Sequence, residues 1–368
     1  MISRCFSHLV NHLTTTRLAL LLAHLFLLYY LFKGNSEQTM SSQKFIELNS
    51  GQKMPAVGLG TWQATDEAEL ENALEEALKA GYRHIDTAYL YTNEAIIGRV
   101  LERWLSSGKI QRNDLFITSK LPGIGMTPER VEYFLKKSLA DLKLDYVDLY
   151  LVHSPMGYQY VSDTELTPMK DGQLLLDNKT DLEAIWKALE VQVDAGLTKS
   201  IGVSNYNIAQ LERMVKMARI PPANLQVELH AYFQQKPLQE ACKRLNVKLC
   251  AYAPLGSPGR KALFEKRGLK FEELGLLQDP VVIELATKHN KTASQILLRF
   301  LVQQDVIVIP KSTNPSRLRQ NLEIFDFQLS SEDMSTLQNL DKGLEGRSFT
   351  AKAFKGVTEH PEYPFNSY

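Results

Sequence analysis

Along most of the chain, short apolar runs alternate with longer amphipathic segments. Eight runs have strand character: Met54–Gly60, Arg83–Ala88, Leu115–Leu121, Val147–His153, Ser200–Asn205, Leu225–His230, Lys248–Leu255 and Val306–Ser312. Several are apolar almost throughout, the pattern of parallel strands covered by helices. The segments between them have the helical period. In Asp66–Gly81, residues Leu70, Ala73, Leu74, Ala77 and Leu78 fall on one face and Gly81 ends the helix. The next, Thr127–Asp145, opens with Thr127 as a cap and Pro128 at the first helical position.

Eight βα units in a stretch of about 290 residues predict a closed (β/α)8 barrel. An open doubly wound sheet is the structural alternative, but the chain has no G-x-G-x-x-G, and Val57-Gly58-Leu59-Gly60 lacks the third glycine. Ahead of the first strand, Lys44–Pro55 reads as a hairpin turning at Asn49-Ser50-Gly51, placed to plug the barrel bottom.

The chain has 368 residues, long enough for one large α/β domain. Its 42 basic and 42 acidic residues cancel, which removes any bias toward nucleic acid. The three cysteines, Cys5, Cys242 and Cys250, do not form a C-x-x-C pair, and Cys242 and Cys250 read as buried free thiols of a reducing compartment. No His-rich or H-x-H spacing marks a metal site, which argues against a metal-dependent barrel hydrolase.

The first forty residues differ from the rest. Leu18–Phe32 is a fifteen-residue apolar run, flanked by Arg17 and Lys33 and containing His24. It is short for a membrane span of roughly twenty residues. It has the length of a signal-peptide apolar region, yet no clear A-x-A cleavage site follows. Met40 directly precedes the domain start. The reading is an N-terminal extension over residues 1–40 and a barrel over residues 41–368. The extension is either dispensable or a membrane anchor, and a cytosolic monomer is expected. Asn178 and Asn290 stand in sequons too common by chance to argue secretion.

Barrel chemistry sits at the C-terminal ends of strands and in the loops after them. Asp86, Lys120 and His153 end the second, third and fourth runs, and Tyr91 follows Asp86 in its loop. Singly, each has an ordinary structural explanation: a cap, a snorkelling lysine, a core histidine or packing. Together on one rim they point to a site. A buried lysine at a strand end needs a partner for its charge. At the eighth exit, Lys311, Ser312 and Arg317 surround a helix start that Asn314 or Ser316 can cap, and two cations with helix amides suit an anion.

The pattern resembles the aldo-keto reductase family from about Lys44 to the end. Gly81–Gly98, "GYRHIDTAYLYTNEAIIG", matches that family's first signature without a gap. Leu144–Pro155 matches the region of its catalytic histidine, and Val308–Asn321 resembles its third signature. The aldose and aldehyde reductases are the most similar members. The resemblance implies NADPH-dependent reduction of aldehydes, and of ketones or sugar aldehydes, with Tyr91, Asp86, Lys120 and His153 as the catalytic four. An intact four argues against a non-catalytic, cofactor-sensing member of the fold.

It further implies that Lys311, Ser312 and Arg317 hold the 2′-phosphate and that Gln320 and Asn321 meet the adenine. Relatives usually carry a glutamate where Gln320 stands. Tyr252 would stack on the nicotinamide, Ser204, Asn205 and Gln226 would bind its carboxamide, and Leu255 would touch the coenzyme. A small carbonyl substrate would lie against Trp62, Tyr91 and His153. Leu90, Pro122 and the aromatics of the C-terminal "EHPEYPFNSY" would complete the pocket. Ser154 and Pro122 stand where the aldose reductases carry aromatic residues, so the exact substrate is not inherited.

Overall fold

The computed structural model describes residues 43–368 except 267 and 269. The extension expected over residues 1–40, with its apolar run 18–32, lies outside the described residues, as does Cys5. Among the described residues no helix is long and apolar enough to cross a membrane.

A hairpin comes first: β1 (Phe45–Glu47) pairs antiparallel with β2 (Lys53–Pro55), with Ile46 opposite Met54. Asn49 at its turn donates to the carbonyls of Pro222 and Asn246, and the Ser50 and Ser200 hydroxyls lie 2.7 Å apart. The first strand candidate, Met54–Gly60, is therefore divided. Met54 and Pro55 belong to the hairpin, and the sheet strand begins only at Leu59.

Eight parallel strands follow: β3 (Leu59–Gly60), β4 (His84–Asp86), β5 (Phe116–Leu121), β6 (Val147–Val152), β7 (Thr198–Ser204), β8 (Asn224–Glu228), β9 (Lys248–Tyr252) and β10 (Ile307–Val308). Each pairs with the next in chain order. The curled sheet closes through bridges Val57–Val308 and Gly60–Lys311. Every residue of β5 and β6 is buried, as for parallel strands covered by helices on one face; the polar Thr118, Ser119, Lys120 and Asp148 are buried with the apolar residues.

The outer layer forms for local reasons. Helix α1 (Glu67–Ala80) starts at Asp66, whose carboxylate accepts from the Glu69 amide at 2.8 Å. It stops at Gly81, held at φ 105°, a left-handed conformation that glycine adopts without steric cost. All five apolar positions of its predicted face are buried. Helix α2 (Glu94–Ser106) runs so close to α3 (Pro128–Leu142) that a Cβ on Gly98 would collide with the Asp141 carbonyl. Pro128 opens α3 as expected, but Thr127 makes no side-chain cap bond; its hydroxyl does not reach the first-turn amides. Cys242 and Cys250 are both buried and free.

Beyond β6 the chain makes an excursion containing two short antiparallel pairs, Gly157–Tyr158 with Leu176–Asp177 and Met169–Lys170 with Gln173–Leu174. Met156 and Leu174 there pack with Val357 and Tyr363 in a satellite cluster. This joins the excursion to the C-terminal segment on the same side of the sheet as the strand exits.

Candidate active site

The strand ends gather the four residues singled out above. Lys120, on β5, is fully buried, and its ammonium donates to Asp86 Oδ1 at 2.6 Å and to the Thr87 carbonyl at 2.8 Å. A third contact runs to the Tyr91 hydroxyl at 3.3 Å. The parallel pairing of β4 with β5 sets Asp86 beside Thr118, and the inward Lys120 side chain then reaches across to Asp86. Tyr91 sits in a single 3-10 turn, Tyr89–Tyr91, stopped by Thr92 in the left-handed region at φ 56°. His153 directly follows β6, with its ring centroid 5.6 Å from that of Tyr91.

Burial and charge oppose each other here. Burial alone would favour neutral Asp86 and Lys120, but the 2.6 Å attraction sustains the ion pair, and Lys120 stays above the ordinary lysine pKa. For Tyr91 the balance favours the neutral form. Burial raises it, Lys120 pulls it down, and the net direction is upward, so the hydroxyl keeps its proton at neutral pH. Burial pushes the His153 pKa down to about 3, with Lys120 adding repulsion. The imidazole is neutral, and its Nδ1 has no hydrogen-bond partner among the described residues.

Sequence reasoning missed several supports of this centre. Gln226 donates to Asp86 Oδ2 at 2.6 Å, so the carboxylate is held from both sides. Asn205, at φ 62°, ties three residues together: its amide nitrogen donates to the His153 carbonyl at 2.8 Å and to Ser204 Oγ at 3.2 Å, and its oxygen accepts from the Tyr252 hydroxyl at 2.8 Å. Only the polar side chains on successive strand ends hinted at such links.

The second cluster lies at the exit of β10. Helix α4 (Pro315–Leu322) is capped by Asn314, whose side-chain oxygen accepts from the Arg317 amide at 3.1 Å. Lys311 and Arg317 lie at the surface and form no ion pair among the described residues. Partial burial pulls the Lys311 pKa below the ordinary lysine value; Glu69 opposes this and Arg317 adds to it. Two uncompensated cations at a helix start fit a dianionic phosphate. Ser312 and Asn321 are buried beside them, and Gln320 is half-buried. Leu255 is half-buried in the segment after β9.

Leu90 is half-buried and Pro122 buried in the loops that follow β4 and β5. The aromatic contact with Trp62 comes from Phe349, at 5.7 Å between centroids, rather than from the final aromatics. Those pack elsewhere: Tyr363 on Phe365 and Tyr368 on Phe233. Phe349 precedes the stretch read as the pocket wall, and no periodicity marks an irregular segment. Phe365 and Tyr368 do line a small cavity beside Tyr252 and Glu228.

Fold and rim geometry together define a closed α/β barrel with a buried lysine and aspartate, a tyrosine and a histidine gathered at its strand ends. The model of the "Aldo/keto reductase family" matches residues 56–342. Aldo-keto reductase family 1 member A1 of Mus musculus is 43% identical over 324 residues, covering 87% of this chain and 97% of the relative. The Homo sapiens protein of the same description is 41% identical over 324 residues, with the same coverage. The solved aldose reductase of Schistosoma japonicum superposes with a TM-score of 0.79 at 41% identity, covering 88% of this chain and 99% of that one. The chain belongs to the aldo/keto reductase family and is a nicotinamide-dependent oxidoreductase that acts on carbonyl groups.

Proposed function

We propose that the chain reduces aldehydes to alcohols with NADPH, with Tyr91 as proton donor. The observation that carries this reading is Lys120, which lies within hydrogen-bonding distance of Asp86 and Tyr91 at once. NADPH, when bound, supplies the hydride to the carbonyl carbon.

The oxygen then needs a proton, and the Tyr91 hydroxyl, protonated at neutral pH, can give it. Lys120 stabilises the phenolate left behind, and Asp86, anchored by Gln226, keeps Lys120 charged and aimed. The neutral imidazole of His153 donates one N–H to the carbonyl oxygen and orients the substrate. Asn205 links the His153 backbone to the Tyr252 hydroxyl, so the residue that orients the substrate and the ring face of Tyr252 keep a constant geometry.

Lys311, Ser312 and Arg317 would hold the 2′-phosphate, Gln320 and Asn321 the adenine end, and Ser204, Gln226, Tyr252 and Leu255 the nicotinamide end. Trp62, Leu90 and Pro122 would wall the carbonyl substrate. The hairpin, tied to Pro222 and Asn246, would close the barrel floor. The domain boundary near residue 41 and a cytosolic, monomeric protein belong to the same reading.

The test is NADPH oxidation by the purified chain against a panel of aldehydes and sugars. Carbonyl-dependent oxidation insensitive to chelators is expected. Absence of turnover with every aldehyde, while NADPH binds, would overturn the assignment.

A further inference from the structure

The segment after β9, with its short helix Arg260–Lys266, meets an irregular segment near the C-terminus over the strand exits, and a buried residue joins them. Arg260 is only 8% exposed. Its Nη1 donates to Ser348 Oγ at 3.0 Å and to the Ser348 carbonyl at 3.3 Å. Its guanidinium lies 3.8 Å over the centre of the Phe349 ring, with Phe264 and Phe271 at 5.0 and 5.6 Å.

From below, Glu228 at the end of β8 accepts from the Ser348 amide at 2.9 Å, the Ser348 hydroxyl at 2.7 Å and the Phe349 amide at 2.9 Å. Phe349 is thus fastened by its backbone to the barrel and by its ring to Arg260. Its ring stands 5.7 Å from Trp62 and 5.2 Å from Tyr252, between the residues that flank the substrate and coenzyme sides.

We propose that Arg260 is a specificity-determining positioning residue, which holds the Phe349 ring as a wall of the carbonyl pocket and so ties pocket width to the segment after β9. The inference rests on the aldehyde-reductase reading. Burying a guanidinium whose Nε has no partner is costly, and the aromatic stack and the Ser348 bonds offset that cost only while Phe349 stays in place. The arrangement therefore favours small carbonyl compounds that fit beside the fixed ring. Lysine in place of Arg260 would keep the charge but lose the planar stack.

Two measurements on the full chain decide the matter. The first compares wild type, Arg260→Ala, Phe349→Ala and the double variant with a short aliphatic and a bulky aromatic aldehyde. The charged hydrogen bond alone, at the low end of its range, corresponds to roughly 10-fold. The ratio of kcat/KM values should shift by about that factor toward the bulky aldehyde in Arg260→Ala, chiefly through KM. Arg260→Ala should add little once Phe349 is alanine, and Arg260→Lys should not rescue. Equal losses for both aldehydes, or full multiplication in the double variant, would overturn the proposal.

The second needs no turnover, so it separates this proposal from the function it rests on. Amide exchange of residues 347–352 should be faster in Arg260→Ala by roughly the same factor. Unchanged exchange would show that Arg260 does not hold the segment.

Discussion

At the barrel centre Lys120 is fully buried and its charge is met by Asp86 at 2.6 Å; at the rim Lys311 and Arg317 lie at the surface with no carboxylate in ion-pair range among the described residues. The central cation is committed to an internal partner, which fixes its direction and leaves one donor for Tyr91. The rim cations are uncommitted, which suits them to a ligand that brings its own charge. Position in the fold decides which role a lysine takes: a buried ammonium must be paired, whereas a surface one can wait for its anion.

The strongest way to break this comparison is to remove the central cation. Lys120→Met leaves Asp86 buried and unpaired, and breaking such a pair costs about 3–5 kcal/mol. Denaturant unfolding of the variant should show a loss of that size together with loss of turnover. A stable variant would mean that Asp86 accepts protonation cheaply.

At the rim, Arg317→Ala should cost no folding stability of note. It should weaken NADPH binding by roughly 10- to 150-fold, the worth of a charge-assisted hydrogen bond, and leave NADH nearly unchanged. Titration of both coenzymes by quenching of protein fluorescence reads this directly. Equal losses would show that Arg317 supports the loop instead. A smaller effect sharpens the contrast: raising salt should weaken NADPH binding more than NADH binding, because exposed charges are screened and buried ones much less. Binding isotherms at two ionic strengths would check it.

The finest effect concerns a buried acid behind the site. Glu94, on α2, accepts from Ser119 Oγ, while its Oε2 has no partner among the described residues. Burial raises its pKa from 4.5 to about 7. Above about 4.5 the unfolded chain releases this proton and the folded chain keeps it, so the contribution of Glu94 to stability falls as pH rises to about 7 and then levels. Relative to wild type, Glu94→Gln should gain unfolding free energy across that window. A difference that does not vary with pH would contradict the assignment.

The layout was legible because the apolar runs and the polar residues at their ends follow fixed periods. Asp86, Lys120 and His153 could be placed on one rim from spacing alone, and Tyr91 followed from its signature. Less legible was anything set by long-range packing. The division of Met54–Gly60 between hairpin and barrel depends on pairing with Phe45–Glu47, which periodicity does not show. The upward shift at Tyr91 arises from burial, which outweighs the neighbouring lysine. Phe349 lies in an irregular segment and Arg260 at the start of the short helix Arg260–Lys266, and only tertiary structure brings them together.

The central claim is that Tyr91 gives the proton while other groups bind the coenzyme. Tyr91→Phe removes the hydroxyl and keeps the ring that packs against His153. Single-turnover and steady-state assays of this variant, with NADPH affinity measured in parallel, test the claim most directly. Turnover should fall by at least ~100-fold, the low end for general acid catalysis, with NADPH affinity unchanged. Near wild-type turnover in Tyr91→Phe would contradict it.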